Sequence, residues 1–165
     1  MPWISECLTA AHRIGGFASG NHALDEWLRR SAIQAQAMRT ARTFVWHGGD
    51  GTAVAYFSLV AHLVVREDMP KRIGRGSPGA IPAILQARLA LARSLHGKGL
   101  GGELLWDALG RAVAASEIAA ARVVVVDAID QRAARFYAHH GFLAVPRNPY
   151  RLVQKVSDIA AALRG

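Results

Sequence analysis

The sequence predicts an α/β fold, and three stretches carry the prediction. Ala83 to Leu91 reads as a strand, runs into a glycine-rich turn from Gly97 to Gly102, and continues as a helical pattern to about Ala120. Arg122 to Asp127 contains the unbroken run Val123-Val124-Val125-Val126, which fits a strand covered on both faces. Thr43 to Trp46, the turn Gly48-Gly49-Asp50-Gly51 and the apolar segment Thr52 to Val65 form a hairpin pattern, the second arm long or bent. Strands and helices that follow one another in this way pack as layers around a sheet.

The remaining elements follow in chain order. A short first segment reads as a strand. It is followed by a helix with Leu24, Trp27, Leu28, Ala32 and Ala35 on one face, capped by Asn21 or Ser19. Arg66 to Pro82 holds Pro70, Lys71, Arg72, Arg75 and Pro78 and reads as a mobile basic loop. On the long helix Leu104, Leu105, Ala108, Leu109 and Ala112 face inward. Asp130 to His140 reads as a short helix stopped by Gly141. The strands Phe142 to Val145 and Tyr150 to Val156 follow, and then a small helix from Asp158 to Arg164.

A chain of 165 residues with 52% hydrophobic composition suits one domain, residues 1–165. Cys7 is the only cysteine, so no disulfide forms within the chain and a reducing compartment, the cytoplasm, is expected. The longest apolar stretch, Ala53 to Val65, is interrupted by Ser58 and His62 and is too short to span a bilayer, and the N-terminus has no signal-peptide pattern; no membrane association is expected. The 20 Lys and Arg exceed the 12 Asp and Glu for a formal charge of +8. A charge of that size draws polyanions, and its scatter along the chain predicts a folded basic face in place of a disordered tail.

A glycine-rich turn between a strand and a helix is an anion site. Glycine lets backbone N–H groups close on phosphate oxygens, and the helix dipole favours the negative charge. Lys98 and Arg93 add full charges. Gly97, Gly99 and Gly102 also satisfy the dinucleotide pattern G-x-G-x-x-G, with Asp127 closing a later strand. That reading fails on context, because too few residues follow Asp127 to build the rest of a doubly wound sheet. The triphosphate loop G-x-x-x-x-G-K-[ST] is absent. The 7 histidines include no pair at helical i, i+4 spacing, so no metal is expected.

The stretch His96-Gly97-Lys98-Gly99-Leu100-Gly101 resembles the pyrophosphate loop of the GNAT acetyltransferases, Q/R-x-x-G-x-G/A, with His96 in place of the first residue. Asp130-Gln131-Arg132-Ala133-Ala134-Arg135-Phe136-Tyr137, followed by Gly141-Phe142, resembles that family's second landmark, N-x-x-A-x-x-x-Y and a glycine-phenylalanine turn, with Asp130 in place of Asn. The resemblance implies the GNAT fold, a central mixed twisted sheet flanked by helices, with acetyl-CoA as cosubstrate. It implies that His96, Gly97, Lys98, Gly99, Leu100, Gly101, Gly102 and Asp130 bind acetyl-CoA, and that the main chain of Leu89 and Leu91 pairs with the pantetheine arm. Tyr137 takes the position of the tyrosine that donates to the departing thiolate. Its unperturbed pKa lies roughly 1.5 units above that of a thiol, so partial donation in the transition state is its expected role.

Four further stretches, Ser19 to Leu28, Ala41 to Val45, Ala87 to Ala90 and Val126 to Asp130, resemble the GNAT toxins of toxin–antitoxin pairs. That resemblance implies acetylation of the amino group of aminoacyl-tRNA, a block of translation, a ribbon-helix-helix antitoxin as partner, and a homodimer. An α-amine with a pKa near 7.7 is roughly one-sixth neutral at pH 7, whereas a lysine amine is neutral only about 4 times in ten thousand. The sequence offers no clear general base, Glu67, Asp68, Glu103 and Asp107 included, which suits the α-amine. Arg29, Arg30, Arg39, Arg42, Lys71, Arg72 and Arg75 are the expected RNA phosphate contacts. Two alternatives stay open: an acetyltransferase of small-molecule or protein amines, and a non-catalytic module that binds RNA or an antitoxin.

Overall fold

The computed structural model describes residues 2–165. Seven strands, β1 (Ile4–Cys7), β2 (Arg42–His47), β3 (Ala55–Val65), β4 (Ala80–Leu91), β5 (Val123–Asp127), β6 (Leu143–Val145) and β7 (Asn148–Lys155), form one sheet in the order β1-β2-β3-β4-β5-β7-β6. β1 pairs antiparallel with β2 and β2 with β3, while β4 and β5 run parallel from Ala83 opposite Val123 to Gln86 opposite Val126. β7 is antiparallel to both β5 and β6. The sheet is therefore mixed, as expected, and six helices accompany it: α1 (His22–Arg30), α2 (Ala32–Ala37), α3 (Lys71–Gly74), α4 (Leu100–Ser116), α5 (Gln131–His139) and α6 (Val156–Arg164). Among the described residues no helix is long and apolar enough to cross a membrane.

Two compact units divide the chain, one holding the residues up to Val60 with Ala87–Ala108, the other Ala61–Gln86 with Leu109–Gly165. The first is centred on Leu8, Phe17, Leu28, Ala32, Val45, Ala53, Tyr56 and Ala90. Its first helix begins where Asn21 accepts the Leu24 N–H, as expected of a cap. Ser19 does different work: its N–H and hydroxyl both go to the buried Asp25 carboxylate, at 2.6 Å from the hydroxyl, which fixes how the chain enters α1. The single helix expected through Ala35 is broken at Ser31, which leaves helical geometry at φ −123° and separates α1 from α2. The apolar face continues across the break, with Leu28 and Ala32 both buried.

The second unit is built on Val64, Met69, Ile73, Ile81, Ala83, Val123, Val125, Val145 and Val153. All four valines of β5 are fully buried, each burial contributing about 1.5–3 kcal/mol. The segment read as a mobile basic loop differs from expectation. It contains a 3-10 turn, Arg66–Asp68, and the short helix α3, and β4 starts at Ala80, ahead of Pro82. The reason is apolar: Met69 and Ile73 point into the core, while the cationic residues around them face solvent.

α5 starts on Asp130, whose Oδ1 accepts the Ala133 N–H at 2.8 Å. It ends where the Tyr137 carbonyl accepts from both His140 N and Phe142 N. That closure requires Gly141 at φ +94°, and a Cβ there would stand 2.8 Å from the Gln154 side-chain amide. Gly141→Ala is expected to lower stability by about 1–2 kcal/mol from the left-handed backbone alone, read as a lower midpoint in chemical denaturation with an unchanged slope.

Candidate active site

The glycine-rich turn lies in the first unit. After β4 a 3-10 turn, Arg93–Leu95, leads to His96, and α4 begins at Leu100. Gly97 and Gly99 both take left-handed backbone, φ +79° and +76°, and among the described residues a Cβ built on either would meet nothing within 4 Å. The loop therefore has an open face against which a ligand can close. Behind it the first N–H groups of α4 have no intrahelical acceptor, so the turn and helix start form a concentration of partial positive charge. Lys98 is exposed beside it. A pyrophosphate fits this cradle by charge and by the absence of side chains on its open face.

The His96 side chain is tied to the main chain of β4. Its Nε2 lies 2.8 Å from the Leu91 carbonyl, which folds the loop back on the end of β4. Leu89 and Leu91 fall beyond the last β4–β5 pair, both half-buried. Gly101 and Gly102 are in the first turn of α4. Asp130 has one carboxylate oxygen committed to capping α5. Asp107, weighed among the possible bases, is instead tied within the first unit to the Ser5 hydroxyl at 2.5 Å and the Trp46 indole N–H at 2.8 Å.

Tyr137 is in the second unit, 7% exposed. Its ring meets Phe136 and Phe142 edge-on at 5.3 and 5.7 Å, so its position is fixed by packing. The Gln86 side-chain amide reaches its hydroxyl at 3.5 Å. Burial pushes the phenol above its ordinary value near 10; the Gln86 hydrogen bond opposes this and the charge of Asp127 adds to it. The phenol is therefore fully protonated at neutral pH and available as a donor.

Near it stands a group that sequence reasoning missed. Asp127, the last residue of β5, is held by Arg151 through two hydrogen bonds of 2.8 Å, and Arg151 approaches His62 Nε2 at 3.4 Å. Burial and the Arg151 charge lower the His62 pKa below its usual 6.5, so this imidazole is neutral at pH 7. Asp127 and Arg151 line a cavity of about 640 Å³ with Leu63, Val65, Met69 and Tyr150. In the first unit the Arg88 guanidinium lies 3.7 Å over the Trp27 ring, which itself stacks on Tyr56. The advance signals for these residues were polar side chains in otherwise apolar strands, Gln86 and Arg88 on β4 and His62 on β3, and Asp127 at the end of the valine run.

The expected phosphate contacts are distributed over both units. Arg29 and Arg30 both pair with Glu26, and Arg29 also donates to the Phe17 carbonyl. Arg39 is exposed, in left-handed backbone at φ 61°. Arg42 reaches Cys7 Sγ at 3.5 Å, and Arg72 pairs with Asp158 at 3.0 Å, whereas Lys71 and Arg75 are exposed on either side of it.

One cluster has the composition of a metal site: Glu6, His12 and His47. Its hydrogen bonding argues otherwise. His12 Nδ1 accepts from Thr9 N, and His47 Nδ1 from Gly49 N and Gly51 N, which places each ring proton on Nε2. Both Nε2 atoms face one Glu6 oxygen, at 2.8 and 2.6 Å, as donors, so neither offers a cation a lone pair.

The fold and this pair of sites define an acyl-transferring enzyme of the acetyltransferase type. Residues 21–142 match the model of the acetyltransferase (GNAT) family, and the chain belongs to that family. It is 35% identical to the tRNA-acetylating toxin of Mycobacterium tuberculosis, over 94% of this chain and 93% of that protein. Among solved structures it resembles AtaT complexed with acetyl-methionyl-tRNAfMet, with a TM-score of 0.89 and 24% identity over 98% and 99% of the two chains. It also resembles a mutant AtaT toxin bound to the C-terminus of the antitoxin AtaR, at a TM-score of 0.86 and 22% identity over the whole of both chains. At those identities the structures establish the shared fold.

Proposed function

We propose that this chain is a toxin that transfers the acetyl group of acetyl-CoA to the α-amino group of aminoacyl-tRNA and so blocks translation. The observation that carries the reading is the 35% identity to a tRNA-acetylating toxin along nearly the full length of both proteins. The buried, protonated Tyr137 supports the chemistry. The charge of +8 agrees with an RNA substrate.

Acetyl-CoA supplies the acetyl group as a thioester open to attack by an amine. Gly97, Lys98, Gly99, Leu100, Gly101 and Gly102 would hold its pyrophosphate through main-chain N–H groups, and the β4 main chain at Leu89 and Leu91 would run beside its pantetheine arm. His96 and Asp130 would act by shaping the loop and the start of α5. Tyr137 holds the proton that the departing sulfur needs. Asp127 and Arg151, the latter beside neutral His62, line the cavity that would receive the acceptor end. Arg29, Arg30, Arg39, Arg42, Lys71, Arg72 and Arg75 would meet RNA phosphates, through contacts that weaken as salt rises.

On this reading residues 1–165 serve one catalytic domain in the cytoplasm, dimerise, and are silenced by an antitoxin of the ribbon-helix-helix kind. The test is transfer from radiolabelled acetyl-CoA to charged tRNA beside uncharged tRNA and a panel of free amines. Label on charged tRNA alone is the expected result. Label on free amines alone overturns the substrate and leaves the enzyme class standing, and cofactor binding without any transfer would favour a non-catalytic module.

A further inference from the structure

Gln86 is a polar residue in a strand that the core otherwise fills with Ile81, Ala83 and Ile84, and it is 2% exposed. Its Nε2 points at the Tyr137 hydroxyl at 3.5 Å, while its Oε1 is buried without a hydrogen-bond partner among the described residues. A buried amide oxygen left unpaired is costly, and a side chain kept only for packing would be apolar. The distance to the phenol is at the long end for a hydrogen bond. The direction of the bond matters more. An N–H that donates to the phenol oxygen occupies an oxygen lone pair and leaves the phenol's own proton free to point elsewhere. With the amide turned over, its oxygen would take that proton.

We propose that Gln86 is the positioning residue for Tyr137: its amide N–H holds the phenol oxygen so that the phenol proton is presented to the leaving sulfur. The C–S bond breaks as the new N–C bond forms, and the sulfur departs with the Tyr137 proton. The phenol is then reprotonated by the proton that the acetylated amine sheds. Gln86 touches none of the reacting atoms and acts through Tyr137 alone. The charge felt at the phenol is that of Asp127, at the end of β5, and His140 at the end of α5 is tied to the Phe136 carbonyl at 2.9 Å.

The inference rests on the acetyl-transfer reading but not on the choice of RNA, so it is tested with whichever amine the wild-type protein acetylates. A failure to label charged tRNA thus overturns the substrate alone. Gln86→Leu is expected to lower kcat about tenfold, the size of one lost hydrogen bond, with KM for acetyl-CoA unchanged. On a Tyr137→Phe background the same substitution is expected to cost nothing further. Gln86→Glu has the same shape but only accepts when ionised, so it should match Gln86→Leu at about pH 8. Its buried carboxyl gains a proton more readily than a free one, and activity relative to wild type should recover towards about pH 6. Equal losses with and without the Tyr137 hydroxyl would overturn the proposal. So would a Gln86→Glu profile parallel to wild type, or a KM for acetyl-CoA that rises as the rate falls.

Discussion

Tyr137→Phe is expected to reduce kcat by about 10²- to 10⁴-fold, the usual contribution of a positioned general acid, while acetyl-CoA binding and thermal stability stay near wild type. The ring is held by Phe136 and Phe142, and the Tyr137 carbonyl is held by the turn at Gly141. Neither restraint uses the hydroxyl. Among the described residues its one polar contact is the 3.5 Å approach of Gln86, so its removal perturbs chemistry and little else. Because burial raises the phenol's pKa, the tyrosine is a weaker acid than a free one and does not give up its proton before the sulfur begins to leave. The loss should therefore shrink with acyl donors whose thiols are more acidic, since these leave unaided. Steady-state rates with acetyl-CoA and with an activated thioester compare the two directly. A variant as active as wild type with both donors would remove Tyr137 from the mechanism.

Much of this arrangement was legible in the sequence because strong local patterns dictate it. The run Val123 to Val126 has only one stable place, inside a sheet covered on both faces, and all four side chains are there. Gly97 and Gly99 announced a turn whose backbone can close on a ligand, and the structure gives both of them left-handed backbone. Asn21 caps α1 and Gly141 stops α5, as side-chain chemistry and the absence of a Cβ require. The misreadings came where tertiary burial overrode composition. Lys71, Arg72 and Arg75 made their segment look like a loop, yet Ile73 and Met69 gave it an apolar side sufficient to seat a helical turn. Ser31 lies in an unbroken amphipathic pattern, and nothing in that pattern marks it as the place where α1 ends.

The site was legible in part for a related reason. Landmarks contiguous in sequence, the turn from His96 to Gly102 and the segment from Asp130 to Tyr137, could be read directly. Partnerships could not. Gln86 meets Tyr137 across 51 positions, and Arg151 meets His62 across 89, through a sheet order that no local pattern encodes. Asp107 shows the converse. On the sequence alone it was a carboxylate weighed for base chemistry, but with Ser5 and Trp46 both donating to it, the carboxylate is a structural anchor for the first unit.

The glycine turn yields the other large effect. Gly99→Val is expected to raise KM for acetyl-CoA at least tenfold and leave the fold intact. The described residues offer no obstacle to a side chain at this position, since a Cβ would meet none of their atoms within 4 Å. Two penalties remain. A β-branched residue at φ +76° is an outlier that costs about 1–2 kcal/mol or shifts the backbone, and a shifted backbone re-aims the N–H groups that would close on phosphate. The new methyls would also occupy the open face of the loop, where a pyrophosphate has to approach. The strain itself lowers stability in the free and bound states alike, so the loss of affinity comes from the re-aimed N–H groups and the obstructed face, where about 1.4 kcal/mol of lost binding is a factor of ten. Lys98→Ala separates loop shape from charge. It removes an exposed cation while keeping the backbone, so a smaller, salt-sensitive rise in KM is expected from it. Isothermal titration with CoA would measure both variants. A Gly99→Val protein that binds CoA as wild type does would mean that this turn is not the pyrophosphate cradle.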